Sequence, residues 1–244
     1  VKKISLFTPI PAAIALMLLT SCMTTGVQRY SPNFDYSPPR DTRPAATNVT
    51  FAVVDASYPD LIPIFQQFGQ NMSQDFFEIL TARGFTIRGP FRTYDDVTFT
   101  DKKGSDLLLI PDLQISGDGS GIKWEPSLGA ALFGKTGYTG EGNLVIKGRV
   151  NLVVAESMSK EKMWTKSVEI QPVTVPIEET RMYASPSISV RDLITNEDAI
   201  YNSVAQALET QYKTILENAY RYLDPDEMQL VKKQSQEIRT RKVY

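Results

Sequence analysis

The stretch GNLVIKGRVNLVVAE, residues 142–156, decides what kind of fold the chain can form. Leu144, Ile146, Gly148, Val150 and Leu152 alternate with Val145, Lys147, Arg149 and Asn151. A period of two places one set on each side of a strand, so this is a strand with one covered and one wet face. The polar run SMSKEK, 157–162, predicts a tight turn, and KMWTKSVEIQ, 162–171, predicts the returning strand of a hairpin.

Working outward, VTFAVVD (49–55), FTIRGPF (85–91) and DLLLIPDLQIS (106–116) are further strand candidates. Between the first two, Phe65, Phe68, Met72, Phe76 and Ile79 step by three and four residues. That spacing predicts one apolar helical stripe from about Ile64 to Arg83, with Gly84 as the stop. A second long helix is predicted after Thr195, which can cap it with Asp198 three residues on. Its inner side is Ile200, Val204, Leu208, Ile215, Ala219 and Leu223. Asp224-Pro225 is a cap followed by proline in the first turn of a further helix, EMQLVKKQSQEIRTRK, polar enough to be a solvated extension or a partner-binding arm. The expected class is α+β: a mostly antiparallel sheet of four to five strands, packed by a long helix near the start and a long C-terminal helix, with a polar tail helix.

GAALFGKT, 129–136, matches the phosphate-binding pattern G-x-x-x-x-G-K-T through Gly129, Gly134, Lys135 and Thr136. A working phosphate loop joins a buried strand to a helix whose N-terminus faces the phosphates. Here Gly137, Gly140 and Gly142 follow, and the next regular element is the strand that opened this section. The match is therefore expected to be fortuitous, with no nucleotide bound. The glycine-rich region 117–143 is instead a candidate ligand-binding loop through Lys123, Trp124, Lys135 and Tyr138, where an aromatic beside a cation could stack on a sugar or grip a protein. The alternative is that Trp124 caps the core.

The chain contains no histidine and one cysteine. That removes His-dependent nucleophilic catalysis, the commonest zinc ligand and any internal disulfide. The paired acids fall in loops and helix starts, so no enzymatic activity, metal or cofactor is expected. A formal net charge of −2, more negative once Lys2 and Lys3 are removed with a leader, argues against nucleic acid.

That leader is residues 1–21. Lys2 and Lys3 precede an apolar run from Ile10 to Leu19, too short to span a bilayer. It closes on Leu19-Thr20-Ser21-Cys22, the pattern of a bacterial lipoprotein signal peptide. Cys22 is expected to carry palmitate-type acyl chains, its covalent lipid being the sole attached group, and to hold the protein in the outer membrane, since Met23 is not the inner-membrane retention Asp. Residues 22–47, with Pro32, Pro38, Pro39 and Pro44, are expected to form an extended tether, a strand at 34–36 being the alternative. The globular domain is expected over 48–223 and the tail helix over 224–244.

With these elements in order, the chain resembles the neuraminyllactose-binding hemagglutinin family, outer-membrane lipoproteins of Helicobacter-type bacteria that are also associated with the flagellar sheath. The resemblance rests on FDYSP (34–38), ILTARGFTI (79–87), DDVTFTDKKGSDLLL (95–109), EPSLGAALF (125–133), VVAESMSKEK (153–162) and NEDAIYNSVAQAL (196–208). It implies a lipid-anchored adhesin at the cell surface or flagellar sheath whose partners are host sialoglycans, or envelope and flagellar-sheath proteins if its role is structural or in assembly. The family's proposed sialic-acid segment is rich in Lys and Arg. The corresponding stretch here, GDGSGIKWEPS (117–127), has only Lys123, so no sugar-binding residue is carried over from the resemblance.

Overall fold

The computed structural model describes residues 28–39, 47–57, 62–126, 137–182 and 189–242. Strand β1 (Thr50–Val54) leads into helix α1 (Pro63–Ala82), then β2 (Thr86–Phe91), a short turn of 3-10 helix (Tyr94–Asp96) and helix α2 (Phe99–Gly104). Strands β3 (Leu107–Asp118), β4 (Lys123–Pro126), β5 (Tyr138–Glu156) and β6 (Lys162–Met182) follow. Helices α3 (Val190–Asn196), α4 (Asp198–Tyr222) and α5 (Pro225–Arg241) close the chain.

The α+β class holds, but the sheet has six strands rather than four to five, and it is mixed: two parallel pairings join the antiparallel ones that make up most of it. Its path is β2-β1-β3-β5, with β4 and β6 also paired to β5. Strand β1 is parallel to both β2 and β3, while the β5 pairings are antiparallel. The parallel pairs arise because α1 returns the chain to the start of the sheet before β2, and α2 does so before β3.

The helical stripe on α1 packs as its spacing predicts: Phe65, Phe68, Met72, Phe76 and Ile79 are all fully buried. Burial of such side chains is worth about 1.5–3 kcal/mol each. They meet Val204, Leu208, Tyr212 and Ile215 of α4 and the inward residues Leu144, Ile146, Val150 and Leu152 of β5 in one core. A smaller cluster, Ala52, Val54, Val97, Leu108 and Ala155, lies on the opposite face of the sheet.

Four local expectations are revised. Strand β6 runs on to Met182, beyond 171, through Pro172 and Pro176. It pairs only with β5, and an edge strand tolerates residues that cannot donate a ladder hydrogen bond. Thr195 does not cap α4. It lies in the last turn of α3, which has its own capping box, with Ser189 accepting from the Asp192 amide and Asp192 accepting from Ser189.

Residues 28–39 are a strap across α1 and α4 rather than a free tether. Phe34 and Tyr36 are 3% exposed, and Phe34 meets Phe68 and Tyr212 at ring-centre distances of 5.2 Å. Arg29 donates to the Thr195 carbonyl at 2.7 Å and lies over the Tyr201 ring. The Tyr30 amide donates to Asn202 at 2.6 Å, and its hydroxyl donates to Glu209. The segment forms no strand, because its polar backbone is met by side chains of the helices.

The tail helix α5 is docked, not solvated. Asp224 caps it by accepting from the Asp226 and Glu227 amides, as the Asp-Pro pair predicts. Met228 and Val231 enter the core. Its polar residues find partners: Lys232 pairs with Asp106 at 3.0 Å, Ser235 donates to the Asp106 carbonyl, and Arg239 pairs with Glu156 at 2.7 Å. A charge-rich helix can therefore lie flat on a sheet end that supplies complementary groups.

Candidate functional site

The pleat of the sheet separates the residues expected to form a ligand loop. Neighbours along a strand point to opposite faces. Lys123 is exposed and stands opposite Glu141, whereas Trp124 stands opposite Gly140 and packs against the main core. A side chain at 140 would overlap the Trp124 ring, so the glycine is the seat for that indole. Tyr138 is half-buried, opposite Pro126. Trp124 and Lys123 thus do not form one aromatic-plus-cation surface; Trp124 takes the core-capping alternative. Lys135, Gly129, Gly134 and Thr136 lie outside the described residues, as do Leu19, Thr20, Ser21 and Cys22. The described elements on either side of residues 127–136 are β4 and β5, an antiparallel pair.

A larger polar surface is built where no described helix covers the sheet. Strand β3 presents Asp112, Gln114 and Ser116; β5 presents Asn151, Arg149 and Lys147 directly opposite them. Ser167 and Glu169 of β6 stand opposite Asn151 and Arg149. The result is two three-residue rows, Asp112–Asn151–Ser167 and Gln114–Arg149–Glu169, with Ser116–Lys147 beside them.

The first row is internally satisfied. Asp112 accepts from Asn151 at 3.1 Å, from Gln114 at 2.8 Å and from Ser57 at 3.1 Å, and Ser167 donates to Asn151 at 2.7 Å. The second row is held but left open. Arg149 donates through Nε to Gln114 at 2.9 Å, which fixes the guanidinium over the sheet. Neither Arg149 nor Lys147 forms a salt bridge among the described residues. The two cations open on a shallow cleft of about 740 Å³, lined also by Gln114, Ser116, Glu169 and Pro172. Hydrogen bonds from Ser120 hold the Asp118 carboxyl below the usual range, and the Lys147 charge adds to this.

Such an arrangement is suited to binding an anion. A guanidinium with free terminal nitrogens and an ammonium two residues apart can take a carboxylate, while Gln114, Ser116 and Glu169 can exchange hydrogen bonds with hydroxyls. Sequence reasoning had the residues in view, since Lys147, Arg149 and Asn151 are the wet half of the opening alternation. Their strand partners, 31–39 residues upstream and 16–20 downstream, follow only from register.

No group of three or more His, Cys, Asp or Glu side chains that could hold a metal is found among the described residues. No described helix is long and apolar enough to cross a membrane.

No family model and no curated protein matches the chain. Solved structures do. A neuraminyllactose-binding hemagglutinin homolog from Helicobacter pylori superposes with a TM-score of 0.57 at 13% identity, covering 85% of this chain and all of that one. This is a distant likeness of fold. A protein from Xanthomonas campestris gives a TM-score of 0.37 at 10% identity over 86% of this chain and 99% of its own. Lipoprotein GNA1162 from Neisseria meningitidis gives 0.26 at 12% identity over 65% of this chain and 99% of its own. Similarities that loose carry no conclusion about this chain.

Proposed function

We propose that this protein is a non-catalytic, lipid-anchored outer-membrane lipoprotein that acts as an adhesin for sialylated glycans. The observation that carries this reading is the open sheet face, where Lys147 and Arg149 stand without ion-pair partners among the described residues, beside Gln114, Ser116 and Glu169. Sialic acid offers a carboxylate to the two cations and hydroxyls to the flanking polar groups. The fold shared with the Helicobacter pylori hemagglutinin homolog supports it, as does the Leu19-Thr20-Ser21-Cys22 pattern. The surface for the sugar is then the sheet face and not the 117–143 loop.

An assembly role in the cell envelope or flagellar sheath is the second reading, and the strap favours it. Among the described residues, contacts with the folded body begin at Gln28, whose carbonyl accepts from Asn202, six residues after Cys22. At no more than about 3.5 Å per residue, the body sits within roughly 25 Å of an acylated Cys22. That is close for a protein that must reach a host cell, and suited to one that docks on envelope partners.

A glycan array probed with the mature chain from residue 23 separates the two. The adhesin reading expects retention on sialylated glycans and none on their desialylated counterparts. Indifference to sialic acid, together with a domain that survives protease treatment of whole cells, would leave the assembly reading.

A further inference from the structure

The three parallel strands form a small doubly wound unit of their own. Their order is β2-β1-β3, so the chain leaves β1 towards one neighbour and arrives later at the other. Helix α1 contributes to the main core on one face, while Tyr94 and Val97 join the cluster on the other. In open sheets of this kind the crevice outside the carboxyl ends of the strands is left uncovered, and ligands settle there.

This molecule has a crevice past the carboxyl ends of β1 and β2, which meets the polar sheet face at Ser57, the donor to Asp112. It has a volume of about 560 Å³ and is lined by Asp55, Ala56, Ser57, Gln70, Ser73 and Arg92. Asp55 is the first residue past β1 and Arg92 the first past β2; the Asp55 amide donates to the Phe91 carbonyl at 2.8 Å, which sets the two side chains off adjacent strands. The floor is rigid. Ser73 of α1 accepts from the Ala56 amide at 2.7 Å and donates to the Gly69 carbonyl at 3.1 Å. Asp55 and Arg92 share the crevice yet make no salt bridge with each other; Arg92 acts on Asp55 only through its field. Burial raises the Asp55 carboxyl above its usual value, so the site gains from a donor brought to it.

We propose that this crevice binds a small zwitterion of the α-amino-acid type, its ammonium on the Asp55 carboxylate and its carboxylate on the Arg92 guanidinium. A carboxylate and a guanidinium that line one cleft without joining are complementary to a ligand with the opposite charges one atom apart. Gln70 and Ser57 line the same crevice. A simple anion would face Asp55 and a simple amine would face Arg92, so neither is preferred.

The test is calorimetric titration of the mature chain from residue 23 with L-serine, L-glutamine and L-glutamate, with ethanolamine and acetate as single-charge controls and lactose as a neutral one. The expected result is saturable one-to-one binding of at least one amino acid. It should be weakened tenfold or more in both Asp55→Asn and Arg92→Gln and unchanged in Arg149→Ala. Circular dichroism and the melting temperature would verify that the variants are folded. No heat at 10 mM of any amino acid, equal binding of acetate or lactose, or binding untouched by both variants would overturn the proposal. None of these outcomes bears on the sialylated-glycan reading, which rests on Lys147 and Arg149.

Discussion

Asp75 is the polar pin of the core. It is 5% exposed, and Tyr212 of α4 donates to it at 2.6 Å. Burial pushes its carboxyl up to about 6, with Asp35 of the strap and Glu78 of its own helix adding to the rise. Hydrogen bonds from Tyr212 and the Tyr36 amide oppose the rise without cancelling it. Between about pH 4 and pH 6 the folded chain therefore holds a proton that the unfolded chain has released. The stability this group contributes is complete at the acid end and is lost as pH rises through 6. Asp75→Asn keeps an acceptor for Tyr212 and removes the charge. It is expected to stabilise the protein by about 3 kcal/mol at pH 7.5 and by nothing near pH 4. Urea unfolding of both proteins at the two pH values checks this, and a variant less stable at pH 7.5 would mean that the charge is solvated.

At the scale of elements, two attachments turn polar or proline-rich segments into structure. The strap is held by Phe34 between Phe68 and Tyr212, so Phe34→Ala is expected to cost about 3 kcal/mol, read as a fall in the urea midpoint. A chain starting at residue 48 should show a comparable loss. The tail helix is held by Arg239 on Glu156, whose side chain is fully buried. Burial alone would raise the Glu156 carboxyl, but hydrogen bonds from the Met158 amide, Arg239 and Ser159 hold it below the usual range. This pair therefore stabilises the fold at neutral pH, and its contribution is lost as pH falls below the ordinary carboxylate range. Arg239→Ala leaves a buried, unpaired carboxylate and is expected to cost about 3 kcal/mol at pH 7, less at pH 4. Denaturant titration at both pH values reads the difference.

What was legible along the chain follows the same division. The stripe from Phe65 to Ile79 and the alternation from Leu144 to Leu152 are local patterns with a fixed period, and both elements stand where those periods put them. The strap, the docked tail and the far half of β6 were not legible. Their stability comes from partners far away in sequence, such as Phe68 and Tyr212 for Phe34, or Glu156 and Asp106 for α5. The candidate site divides likewise. Lys147 and Arg149 are visible as the wet positions of a strand, but their freedom from ion pairs and their polar neighbours on β3 and β6 are set by register. The separation of Trp124 from Lys123 depends only on the pleat, and would have been legible had 123–126 been recognised as a strand.

For the molecule as a whole, one sheet has a helix-covered face that makes the core, and a partly bare face that carries the charge. Lipid at Cys22 would hold that body close to a membrane, and the bare face is the surface left for a partner. The most direct measurement is calorimetric titration of sialyl-lactose into the mature chain from residue 23, alongside Lys147→Ala, Arg149→Ala and Trp124→Ala. The account predicts saturable binding to the unmodified chain that drops tenfold or more in each cation variant, corresponding to about 1.4 kcal/mol or more. It also predicts little change from Trp124→Ala while that variant stays folded. No binding at millimolar sugar, or binding abolished by Trp124→Ala and indifferent to both cations, would contradict it.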